Sequence, residues 1–148
     1  MSQPSAPVSH PSPQRRHVST LAQLFGVAAG PAAWIAQLAA GYGLSSYACY
    51  PSDAPLQSPP SDAEHGLLLA INLACLALAA AGLAVSWIGW RRTRTEKPGR
   101  AEAMLEVGEG RARFLAICGL LASGAFAVAI LFDTPSAVAL RLCWSIPR

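Results

Sequence analysis

Gly66 to Trp90 reads GLLLAINLACLALAAAGLAVSWIGW, 25 residues without a single Asp, Glu, Lys or Arg. A helix of that length rises about 37 Å, more than the ~30 Å hydrocarbon core of a bilayer. The stretch is continuously apolar and rich in Ala and Leu. It lacks the period-two alternation that a membrane β-barrel strand needs. Outward from it lie two further uncharged runs, Val18 to Ser52 with 35 residues and Phe114 to Phe132 with 19. Each is long enough to cross once and none is long enough to cross twice. The expected fold is therefore all-α: an integral membrane protein with transmembrane helices at 18–50, 66–90 and 114–132.

The charges fit that reading. All 11 Lys+Arg and 8 Asp+Glu lie outside the three runs. They make up 13% of the 148 residues, about half of the ~25% usual in a soluble domain. A water-soluble enzyme is not expected, and no catalytic constellation stands in the sequence. Arg15 and Arg16 precede the first run, seven basic residues fill the loop 91–113, and the loop 51–65 holds only Asp53, Asp62 and Glu64. Under the positive-inside rule the N-terminus and the basic loop are cytoplasmic, and the outer loop 51–65 and the tail 133–148 face outward. Tyr47 and Tyr50 near the end of the first run, and Trp87 and Trp90 at the end of the second, match interfacial aromatic belts. Residues 1–17, rich in Pro and Ser, read as a disordered cytoplasmic arm. Arg15-Arg16-His17 before an apolar stretch suits a cleaved signal peptide less well, because that stretch far exceeds a signal h-region of roughly 7 to 15 residues.

Within the runs, small residues recur four apart: Gly26 and Gly30, Ala77 and Ala81, and Gly119, Ser123 and Ala127. Lipid tails are as apolar as Leu, so helices in a bilayer associate through close backbone approach and interhelical hydrogen bonds, which such stripes permit. Gln37 and Asn72, polar and inside the runs, read as hydrogen-bonding glue between helices. Pro31 is expected to bend the first helix and free a carbonyl. No Asp, Glu, Lys, Arg or His lies inside a run, which disfavours a small-solute or proton-coupled transporter.

The three histidines, His10, His17 and His65, lie outside the runs, so no haem ligand pair stands at depth and no cofactor is expected. Cys49, His65 and Cys143 are weak candidates for an outer-face metal or redox site, since sulfur with imidazole suits copper. Thr134-Pro135 is expected to end the third helix. The apolar tail beyond it could then fold back and bring Cys143 to Cys49, two cysteines in one oxidising compartment, as a disulfide. In the basic loop, Arg91, Arg92 and Arg94 would meet lipid headgroups, a short helix is plausible over 100–107, and nucleic-acid binding is not expected.

The stretch Gly30-Pro31 with Trp34 and Gln37, continuing through Gly41-Tyr42 to Cys49-Tyr50-Pro51, resembles the first span of small uncharacterised three-span bacterial inner-membrane proteins. Arg111, Arg113, Phe114 and Leu115, with Ser123, Phe126, Ile130 and the terminal Cys143, are similar to their last span. That resemblance implies the bacterial inner membrane and an association with terminal-oxidase gene clusters. It carries over no catalytic residue. The expected role is a structural or accessory subunit, or assembly partner, of a larger complex, with lipid and other membrane subunits as partners and homo-oligomers allowed.

Two measurements test the orientation and the pairing. Reporter fusions at Arg94 should read cytoplasmic and at Pro59 periplasmic; a periplasmic signal at Arg94 overturns the orientation. In mass spectrometry of unreduced, alkylated protein, Cys49 and Cys143 should escape alkylation, whereas modification of both without reduction shows no bridge.

Overall fold

The computed structural model describes residues 19–50, 62–94 and 111–139. They form three helices, α1 Thr20–Cys49, α2 Asp62–Arg92 and α3 Arg111–Ala139, and no strand occurs among them. All three are long and apolar enough to cross a membrane, with mean hydropathies of 1.4, 2.4 and 2.4 over their most apolar windows. The arm, the segments 51–61 and 95–110, and the tail from residue 140 with Cys143 lie outside the described residues.

α2 and α3 overrun their uncharged runs, whereas α1 stays within its own. α2 begins at Asp62 rather than Gly66 and ends at Arg92, and α3 extends from Arg111 to Ala139 instead of ending near Phe132. A hydropathy boundary marks where side chains meet water, whereas the backbone gains a hydrogen bond with each added helical residue and continues past that boundary. The expected break at Thr134-Pro135 does not occur, and Pro135 lies inside α3. Proline removes one donor, but uncoiling at this depth would leave several more groups unpaired, and membrane helices tolerate proline for that reason. Asp133 and Thr134, assigned by the sequence to an outer tail, therefore belong to a membrane helix.

α1 and α3 run parallel and α2 runs against them, with all three in mutual contact. Two adjacent levels set their spacing. At one, Gly26 of α1, Ser86 of α2 and Gly119 of α3 meet; a Cβ on either glycine would strike Ser86 Oγ. At the next, Gly30, Gly82 and Ser123 meet; a Cβ on Gly30 would lie 2.6 Å from Ser123 Cα and one on Gly82 would lie 2.7 Å from Ala29 Cβ. Each level thus holds two glycines and one serine, one residue from each helix. Ser123 is fully buried and donates a 2.7 Å hydrogen bond to the Gly26 carbonyl. The carbonyl that Pro31 deprives of its helical donor is that of Val27, so this interhelical bond lands one residue earlier than the proline alone would direct it.

The small-residue pair assigned to α2 from sequence is corrected: Ala77 and Ala81 are exposed, and Gly82 and Ser86 take the contact. The inward face of α2 is set by Asn72, Ala79, Ser86 and Thr93, all buried and seven residues apart. A seven-residue repeat keeps one face of a helix turned toward its neighbours over several turns. Above the two levels, Ala33, Ala79 and Ile130 close an apolar layer, with Trp34 stacked at a tilt on Phe126 at 5.3 Å.

Substitution at Gly30 and Gly43 should separate packing from propensity. Gly43 has nothing within 4 Å of an added Cβ, so Gly43→Ala should be neutral or raise stability by up to about 1 kcal/mol. Gly30→Ala must push two backbones apart and should lose about 1–3 kcal/mol or more. Thermal or SDS unfolding in detergent reads both; equal effects would remove the two-level seam as the determinant of packing.

Candidate functional site

Beyond the apolar layer, toward the Cys49 end, the interior becomes polar. Gln37 lies about three turns before the end of α1 and is 8% exposed. Its Nε2 donates to Asp133 Oδ2 of α3 at 3.4 Å. Asn72 of α2 is 2% exposed and accepts a 2.9 Å hydrogen bond from Thr134 Oγ1 of α3. That hydroxyl also stands 3.0 Å from the Ile130 carbonyl. It has one proton, so it serves one of the two acceptors at a time. Each helix therefore supplies at least one polar side chain to a single level, and α3 supplies a carboxylate.

Gln37 Oε1 is buried without a hydrogen-bond partner. The amide orientation follows from chemistry: reversing it would set Oε1 against the Asp133 carboxylate. Glu64 Oε2, at the start of α2, is the other buried side-chain oxygen without a partner among the described residues.

The residues singled out from sequence divide between two places. Gly26, Gly30, Gly119 and Ser123 lie in the glycine–serine levels, and Gln37 and Asn72 lie in the polar level. Ser86, Thr93, Asp133 and Thr134 were not anticipated as inward residues. For Ser86 the signal was present, because it is the single hydroxyl in the run 66–90 and stands two heptads from Asn72. For Asp133 the signal was masked, since the charge itself ended the hydrophobic run.

At the Cys49 end, His65 is half-buried at the start of α2, and Cys143 lies outside the described residues. No group of three or more His, Cys, Asp or Glu gathers among the described residues. The free cysteines there are Cys75 and Cys118, both half-buried within the helices where a thiol packs as a small hydrophobe. Cys49 is not one of them.

At the opposite end, Thr93 closes α2. Its backbone N–H bonds the Gly89 carbonyl at 3.1 Å, and its hydroxyl donates to the same carbonyl at 3.0 Å. Trp87 and Trp90 stack at 5.1 Å, and the Arg94 guanidinium lies 5.1 Å over the Trp90 ring. Exposed Arg91, Arg92 and Arg111 complete a basic rim with interfacial aromatics.

All three helices expose bulky apolar residues, among them Leu21, Leu24 and Ile35 on α1, Leu67, Leu73 and Ile88 on α2, and Phe114, Leu121 and Phe132 on α3. Beside these, α1 and α2 also expose small residues at helical spacing: Ala28, Ala32, Ala36, Ala39 and Gly43 on α1, and Ala70, Ala74, Ala77 and Ala81 on α2. Comparison with family models, curated proteins and solved structures finds no match to any of them.

Proposed function

We propose that this chain is a small structural or accessory subunit, or assembly partner, of a larger complex in the bacterial inner membrane. Its N-terminus is cytoplasmic, its C-terminus periplasmic, and its setting respiratory. The observation that carries the reading is the pair of outward stripes of small residues on α1 and α2. A surface that faces only lipid gains dispersion contacts from bulky side chains, and the exposed Leu, Ile and Phe of all three helices provide such surface. A stripe of alanine and glycine offers a second backbone close approach instead, and in a bilayer that approach drives helix association. Tyr42 and Tyr47, 79% and 78% exposed, flank the stripe on α1 and add amphipathic surface for a partner. The lower mean hydropathy of α1, 1.4 against 2.4 for the other two, fits a helix that turns part of its surface to protein.

A bridge from Cys49 to Cys143 belongs to the same reading. It would hold the tail over the outer end of the bundle as a rigid recognition surface. Loop closure over roughly 95 residues would be worth about 4–5 kcal/mol in the chain-entropy model.

Extraction in mild detergent, size separation and mass spectrometry test the proposal. A stoichiometric membrane-protein partner is expected with the wild-type chain. The paired substitution Ala36→Leu and Gly43→Leu should not lower the unfolding midpoint and should remove that partner. A chain that runs alone as a monomer overturns the reading.

A further inference from the structure

We propose that a single water molecule is bound between the three helices toward the Thr20 end of α1, held by the Ser86 hydroxyl and the side-chain amide of Gln23. The inference stands apart from the subunit reading and does not need a partner protein. It starts from Ser86, which is more than nine-tenths buried. Its Oγ stands where a Cβ on Gly26 or Gly119 would lie, so a Cα hydrogen of each glycine points at it. Such Cα–H groups are weak donors, and they use the lone pairs of the oxygen. The hydroxyl proton is left over. Among the described residues no acceptor takes it, and a buried donor without a partner points to a group that completes it.

The surroundings say what that group is. Unlike Gln37 Oε1, the Ser86 oxygen is not sealed into the protein. Ser86 lines a cavity, together with Ala22 and Gln23 of α1, Val85 and Gly89 of α2, and Ala116 of α3. The space there for the centre of a water-sized molecule is about 10 Å³, about what one water needs and too little for a larger ligand. No Asp, Glu, Lys, Arg or His lines it, so an ion would lie there without a counter-charge. A water accepts the Ser86 proton and keeps both of its own. Gly89 is not the second partner, because its carbonyl already accepts from the Thr93 N–H and hydroxyl. Gln23 is: its backbone N–H is used by the Ser19 carbonyl, while its amide carries two donors and an acceptor with no other partner among the described residues. Two protein partners meet the lower bound for a lasting buried water. Gln23 also lies in the first turn of α1, within reach of the interface that supplies the water. Ser123 ties α3 to α1 by a direct bond to the Gly26 carbonyl; the water ties α2 to α1 beside it.

The full-length chain in non-ionic detergent, deuterated except for its alanine methyls, provides the test through cross-relaxation between water and methyl protons. Ala116 is the reporter, because it lines the cavity and is only 4% exposed, out of reach of bulk water. Its methyl should give a cross-peak at the water frequency with the sign of a molecule that tumbles with the protein. Ala33 and Ala79, fully buried in the apolar layer, should give none. The Ala116 peak should be lost in Ser86→Ala, which removes one atom from the seam, and in Gln23→Leu, which removes the amide. Absence of the peak in the wild-type chain overturns the site, as does an equal peak at Ala33 and Ala79 or a peak that survives in Ser86→Ala. A peak that survives in Gln23→Leu alone comes from exchange of the Ser86 hydroxyl proton and overturns the bridge. The wild-type reading needs no variant, so it decides against the site even where a variant fails to fold.

Discussion

The contact of Gly30 with the Ser123 backbone is the constraint on which the rest of the bundle depends. It allows no atom at the Cβ position of residue 30, so it fixes how closely α1 and α3 approach. Gly26 and Gly119 repeat that closeness one turn away, and Gly82 and Ser86 bring α2 into the same two levels. In water such a seam would gain little, since glycine buries almost no apolar surface. In a bilayer the comparison changes, because large side chains lose nothing by facing the tails, and contacts between backbones decide association. This is why the bundle is narrow at its glycines and exposes Leu, Ile and Phe, the reverse of a soluble helical core.

The serines deepen the effect. Ser123 is small enough for its level and still carries a donor, which it gives to the Gly26 carbonyl across the α1–α3 contact. An interhelical hydrogen bond of this kind contributes about 0.6 kcal/mol on average in a membrane protein. Its greater consequence is register: with Ser123 bonded to Gly26, sliding α3 by one turn would break that bond and place larger side chains against the glycines.

The number of helices and the parts of the packing on α1 and α3 were legible in the sequence, because three uncharged runs and two four-spaced small pairs are signals written in residue type. The corresponding face of α2 was not. Ala-rich α2 offers several four-spaced small pairs, and residue type alone does not say which one turns inward. The polar residues would have decided it: Asn72 and Ser86 stand on one face, and the buried face follows them past Ala79 to Thr93. Ala77 and Ala81 occupy the opposite surface, where their small size leaves room for a neighbour.

The helix ends were harder to read for a different reason. A charge terminates a hydrophobic run but not a helix, and Asp133 shows the difference: counted as the first residue of an outer tail, it lies six residues before the end of α3 at Ala139 and accepts a bond from Gln37 of α1. A carboxylate is costly inside a bilayer unless it turns inward to donors. Continuing the helix through Thr134 and Pro135 gives Asp133 that inward position and lets Thr134 reach Asn72 on α2. The same continuation joins α3 to both neighbours above the apolar layer, as the glycine–serine levels join the three helices below it. The polar level therefore works as a second tie, made of hydrogen bonds where the first is made of close contact, and its strength depends on local charge in a way the glycine seam does not.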